Sequence, residues 1–138
     1  MKPIPAGYSA TTLLKKLGIK PEMKVLLINQ PDDYYLLLET NISAQICKKN
    51  ETPNLIHLFV KTEKEFEREM KKLNPVYKKK TSIIIWVSWY KKSAKIPTDV
   101  TEDTIRKYGL QNGLVDVKVC AVSEVWSGLK LVVPLKKR

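Results

Sequence analysis

Three short apolar runs constrain this chain most: KVLLIN (Lys24 to Asn29), LIHLFV (Leu55 to Val60) and SIIIWVSW (Ser82 to Trp89). Each is too brief for a buried helix, is rich in β-branched residues, and does not alternate apolar with polar. That is the pattern of a strand covered on both faces. Strands of this kind pair in parallel, and parallel neighbours need long crossover connections that usually carry helices.

The segments around the runs supply such helices. Ser9 to Leu17 reads as a helix capped by Ser9, with Leu13, Leu14 and Leu17 on one side, and Gly18 followed by Ile19 as a left-handed stop. Pro31 opens a helix to about Glu39, because its missing N–H is not needed in the first turn. Thr62 and Glu65 form a capping box for a helix with Phe66, Met70 and Leu73 on its inner face, ended by Pro75. A further helix starts at Asp99 or Thr101 and stops near Gly109. Ser43 to Lys48 reads as a weaker strand. Asp116 to Val122 alternates, with Val117, Val119 and Ala121 on one face, and Ser127-Gly128 is the expected turn into a last strand, Leu129 to Val133.

This order predicts an α/β fold: three layers, a mostly parallel sheet of Rossmann or methyltransferase-like topology, and a C-terminal antiparallel hairpin. With 138 residues and no internal repeat or flexible linker, residues 1–138 are expected to share one core. Cys47 and Cys120 lie far apart without metal-ligand spacing, and the single histidine cannot complete a metal set, so no metal site and reduced thiols are expected. No apolar stretch approaches the ~20 residues of a membrane span, and none at the N-terminus resembles a signal peptide. The expectation is a soluble, cytoplasmic protein without membrane contact.

In open parallel sheets, ligands bind outside the carboxyl ends of the strands. Those ends carry Asn29, Gln30 and Asp32 after the first run, Lys61 and Thr62 after the second, and Ser88, Trp89, Lys91 and Lys92 after the third. If the hairpin leaves the sheet on the same side, its tip adds Glu124, Trp126, Ser127 and Lys130. These residues form the candidate ligand site at the Trp89/Trp126 edge.

The first strand-to-helix turn, NQPDDYY, argues against a nucleotide cofactor. It has no glycine to let backbone amides approach a phosphate, Pro31 lacks an N–H, and Asp32 and Asp33 occupy the positive end of the helix. No cofactor is expected; S-adenosylmethionine, which carries no phosphate, is disfavoured less strictly. His57 lies between Ile56 and Leu58 and reads as a hydrogen-bonded core residue. Ser88 lacks a nucleophile-elbow motif. Cys120 sits within a strand, where apolar surroundings raise a thiol pKa. Glu124 and Lys130 read as an ion pair across the hairpin.

The net charge of +11 is concentrated in residues 70–138, which hold 15 basic and 5 acidic side chains. Such an excess raises nucleic acid as a partner. Yet 22 of the 25 basic residues are lysine, and base-specific readers favour arginine, so only non-specific binding through the basic second half is expected. Lys78, Lys79 and Lys80 should lie at the opposite pole from Lys91, Lys92 and Lys95, with Lys136, Lys137 and Arg138 joining the former.

The segments AGYS (Ala6 to Ser9), LGIKPEMKV (Leu17 to Val25), WVSWYKK (Trp86 to Lys92), PTDVTED (Pro97 to Asp103) and GLVDVKVCAVSEVWSGLKLV (Gly113 to Val132) resemble a family of small uncharacterised bacterial proteins. The resemblance spans nearly the whole chain and implies a one-domain bacterial protein, with no activity or cofactor to carry over. Against that resemblance, Ile42 to Asn54 and Lys78 to Lys80 look like this chain's own. The combined expectation is a non-catalytic or vestigial Rossmann-like module that binds a small molecule or a protein. The alternatives are an enzyme using S-adenosylmethionine and a non-specific nucleic-acid binder.

Overall fold

The computed structural model describes residues 11–137. Five strands, β1 (Val25–Ile28), β2 (Leu55–Phe59), β3 (Ile84–Tyr90), β4 (Val115–Ala121) and β5 (Trp126–Val132), form one sheet in the order β1-β2-β3-β5-β4. β1, β2 and β3 pair in parallel, with Val25, Leu55 and Ile84 in register; β5 is antiparallel to both β3 and β4. β4 therefore points the same way as the first three strands, and only β5 runs back.

Strands β1, β2, β3 and β5 feed both faces. On one, Ile56, Leu58, Ile85, Val87, Leu129 and Leu131 pack with helices α3 (Glu63–Lys79) and α4 (Glu102–Gln111). On the other, Leu55, Phe59, Trp86 and Trp126 pack with α1 (Leu13–Leu17) and α2 (Tyr34–Leu38). The indole N–H of Trp86, fully buried, donates to the Leu17 carbonyl at 2.9 Å and so ties α1 to the sheet centre.

α1 begins at Leu13, and its N-cap is Thr12, whose hydroxyl accepts from the Lys15 N–H; the expected cap, Ser9, lies outside the described residues. Gly18 ends the helix with φ 76°, as the sequence implied. The segment after Pro31 is shorter than expected: Pro31 closes a turn by accepting from Tyr34 N–H at 3.1 Å, and helix follows only to Leu38.

The strand expected at Ser43 to Lys48 does not form. Ser43–Gln45 is a 3-10 turn, with the Ser43 N–H held by the Asn41 side chain, and a single parallel bridge joins Ile46 to Val25. That bridge has a topological consequence. Since β2 occupies one side of β1, Ile46 must lie on the other, so the chain steps outward from β1 before returning to form β2. The direction of winding thus reverses at β1.

Pro75 does not end α3, which continues to Lys79. Beyond the proline, Tyr77 is 1% exposed and donates its hydroxyl to the Asn112 carbonyl at 2.8 Å. Burying a side chain of this size contributes about 1.5–3 kcal/mol and the hydrogen bond about 1 kcal/mol. Together these match the ~3 kcal/mol an interior proline costs. The carbonyl that loses its helix partner belongs to Lys71, an exposed residue.

The hairpin also differs from expectation. Ser127 and Gly128 lie within β5, and the turn is Val122 to Val125, where Ser123 Oγ accepts from both Val125 N–H and Trp126 N–H at 3.1 Å. Gly128 serves close packing: a Cβ there would stand 3.1 Å from Val122 and 3.3 Å from Trp86. In β4 the register shifts between Asp116 and Lys118, so strict alternation is lost at Val117. Val117 and Val119 are 51% and 47% exposed on this edge strand.

Candidate functional site

The ends of β3 and of the hairpin meet as their common direction requires. Tyr90 is in register with Trp126 and Trp89 with Ser127, and the Lys91 N–H donates to the Val125 carbonyl at 2.9 Å. Beside them lie the carboxyl ends of β1 and β2. Asn29 turns the chain out of β1 with φ 59°, a conformation asparagine tolerates, and its side-chain amide donates to the Phe59 carbonyl at 3.4 Å. The missing glycine is thereby replaced.

These ends enclose a shallow cleft of about 420 Å³. Asn29, Gln30, Asp32 and Asp33 form one wall, Lys61 lies at the end of β2, and Tyr90, Ser123 and Trp126 form the other wall. The aromatic wall is rigid. The Tyr90 and Trp126 rings stack with centroids 4.2 Å apart, and Trp126 meets Phe59 edge-on at 5.0 Å. The cleft lies where the winding reverses, the usual place for a ligand in an open α/β sheet.

Of the residues expected at the site, Asn29, Gln30, Asp32, Lys61 and Trp126 line the cleft. Glu124 is exposed on the hairpin turn, and Lys91 and Lys92 follow β3 at the same pole. Thr62 is at this end of the sheet but is committed to capping α3, its hydroxyl accepting from the Glu65 N–H. Ser127 is within β5, between Trp89 and Ala121.

Three expectations need correction. Trp89 faces the α3 and α4 layer, while Trp126 faces the α1 and α2 layer, because strand alternation puts adjacent residues on opposite sides. Tyr90, not Trp89, is the partner of Trp126. Lys130 sits mid-strand opposite Trp86, four residues and roughly 13 Å from Trp126. It forms no ion pair with Glu124, which stands at the turn.

Ser88 is fully buried, and so is its neighbour His57. His57 Nε2 is 2.8 Å from Ser88 Oγ, and Nδ1 is 2.8 Å from the hydroxyl of Tyr34. This chain of side chains looks like a nucleophile and its base. However, Ser88, His57 and Tyr34 are 0%, 0% and 2% exposed, so no substrate atom can reach the serine. Desolvation lowers the His57 pKa to about 3, which keeps the ring neutral, and burial also raises the Tyr34 hydroxyl. The network satisfies polar groups in the core. Burial likewise raises the Cys120 thiol, against smaller opposing effects of Lys16, Lys118 and Lys91.

Sequence reasoning missed Tyr90, Ser123 and Val125 as cleft residues. Tyr90 could have been found by carrying the alternation of Trp86 and Ser88 two residues further; Ser123 became visible only once the turn was correctly placed. A second hollow of about 460 Å³ lies between α3 and α4, over Phe66, with Glu63, Glu67, Asp103, Lys107 and Tyr108 around it. It gathers no strand ends, and its charges are mixed and exposed. Among the described residues no group of three or more His, Cys, Asp or Glu side chains could hold a metal ion, and no helix is long and apolar enough to cross a membrane.

No protein-family model matches the sequence, and no curated protein matches it. Solved structures do. An uncharacterised protein from Listeria monocytogenes serotype 4b aligns with a TM-score of 0.56 over 92% of this chain and 69% of its own, at 9% identity. A protein in the NADB-Rossmann superfamily from Streptococcus agalactiae aligns with a TM-score of 0.52 over 93% of this chain and 70% of its own, at 10% identity. At such identities the likeness concerns the fold alone: this chain has a Rossmann-like α/β fold.

Proposed function

We propose that the protein is a non-catalytic or vestigial three-layer Rossmann-like module that holds a small ligand, or a short segment of a partner protein, in the cleft at the carboxyl ends of its strands. The observation carrying this reading is the convergence of Asn29, Gln30, Lys61, Tyr90 and Trp126 at the reversal of winding. An aromatic wall with a few polar groups around it is the usual composition of a small-molecule site. The Ser88–His57 pair is sealed in the core, so it offers no reacting group to the cleft, and the reading is of binding. A bound pyrophosphate fits poorly: α2 has only five residues, and Asp32 and Asp33 stand where its charge would lie. The methyltransferase-like alternative loses its usual glycine-rich turn in the same place.

Gln30 and Lys61 are exposed, so replacing them leaves the core intact. Thermal-shift and ligand-detected NMR screening against nucleosides, amino acids, S-adenosylmethionine and short peptides should find binders that Gln30→Ala and Lys61→Ala weaken at least several-fold. Binders unaffected by either change, or turnover of S-adenosylmethionine, would refute the proposal.

A further inference from the structure

The sheet face that α1 partly covers carries a second feature, a row of cations that meets the cleft only at Tyr90. Lys118 of β4 and Lys130 of β5 are direct cross-strand partners, and like charges in that position destabilise a sheet. Lys118 is exposed and Lys130 half-buried. Neither has an ion-pair partner among the described residues, which include all 14 acidic side chains of the chain. The hairpin's own acids are turned elsewhere: Asp116 is held by Arg106 Nε at 3.1 Å, and Glu124 sits at the turn.

The row continues along the same face. Two residues on from Lys118 is Cys120, paired with Gly128, and Lys16 of α1 and Lys91 after β3 both lie close enough to act on its thiol. Burial, and then Lys118, lowers the Lys130 pKa, as expected of an ammonium lacking a counter-charge. At its upper end the row reaches Tyr90, whose half-buried ring stacks on Trp126.

We propose that this lysine row is a docking surface for the backbone of single-stranded nucleic acid. The cations lie outside both hollows described above, Lys118 exposed on the edge strand and Lys130 half-buried beside it. A lone small anion there would gain little, because a single exposed ion pair is weak and screened by salt. A chain of phosphates meets several ammoniums at once and releases the counterions they hold. Lysine is a point charge without a bidentate fork, so the surface reads charge and not sequence. The aromatic ring at the end of the row suits a base, which an acidic peptide does not offer.

The test is fluorescence anisotropy of the full chain with a labelled oligothymidylate of about twenty nucleotides across a NaCl series. Engagement of Lys91, Lys118 and Lys130 gives a log–log salt slope of about −2, at roughly −0.7 per lysine engaged. Lys118→Gln with Lys130→Gln should make the slope shallower by about 1.4, and Lys91→Gln alone by about 0.7. Relief of the cross-strand repulsion should leave the double variant at least as thermostable as the parent. Lys78→Gln with Lys79→Gln, at the other pole, should leave the slope unchanged. The proposal is overturned if only the Lys78 and Lys79 changes alter the slope, or if no binding is seen at low salt. It is also overturned if a duplex of equal length binds more tightly, or if polyglutamate of similar length competes equally well.

Discussion

His57 allows a measurement of unusual clarity, because it is the only histidine in the chain. Folding lowers its pKa from 6.5 to about 3, by desolvation. Its ring is neutral in the core, where Tyr34 and Ser88 satisfy both nitrogens, and no carboxylate is there to balance a proton. Below about pH 6.5 the unfolded chain therefore binds a proton that the native state refuses. Stability falls as the pH drops from about 6.5 toward 3, with a slope approaching 1.4 kcal/mol per pH unit. From about pH 7 to about pH 5, with those two pKa values, the loss amounts to about 2 kcal/mol. This interval lies above the ordinary carboxylate range, so His57 dominates it.

Urea unfolding followed by tryptophan fluorescence at about pH 7, 6 and 5 should show the midpoint falling at constant m-value. The imidazole proton resonances of the native protein should stay at their neutral positions throughout. A flat stability profile, or a folded-state titration near pH 6.5, would refute the burial argument and reopen the Ser88–His57 pair as accessible chemistry.

Gly128→Ala should destabilise the fold by about 1–3 kcal/mol through overpacking, because the added methyl meets Val122 and Trp86 at 3.1 and 3.3 Å; a shift in urea midpoint checks it, and a neutral result would mean the hairpin relaxes freely. Pro75→Ala should stabilise α3 by about 1–2 kcal/mol, the restored helix hydrogen bond being partly offset by a freer unfolded chain. A lower melting temperature for that variant would show that Pro75 has a packing role the structure does not reveal.

The apolar runs at Leu55 to Val60 and Ser82 to Trp89 were legible as parallel strands, because full burial on both faces leaves no polar residue to interrupt them apart from His57 and Ser88. The Thr62 cap of α3 and the Gly18 stop of α1 were legible as well, since each depends on chemistry within a few residues. The common direction of β3 and β4, and with it the meeting of their tips, entered the sequence reading only as a condition; the antiparallel pairing of β5 with both strands decides it. Pro75 was misread because local propensity forbids it, while Tyr77, bonded to Asn112 far along the chain, holds the helix together beyond it.

Gly128 shows the same limit. By itself a Ser-Gly pair signals a turn, and only the approach of Trp86 from another strand makes it a packing site. The outward step to Ile46, the stacking of Tyr90 on Trp126 and the facing pair Lys118 and Lys130 are set by register between distant segments. Local interactions act over one turn or one strand and can be read along the chain. Which side chains share a face of the sheet depends on pairings many residues apart, where a slip of one position reverses every side chain, and tertiary packing alone selects among them.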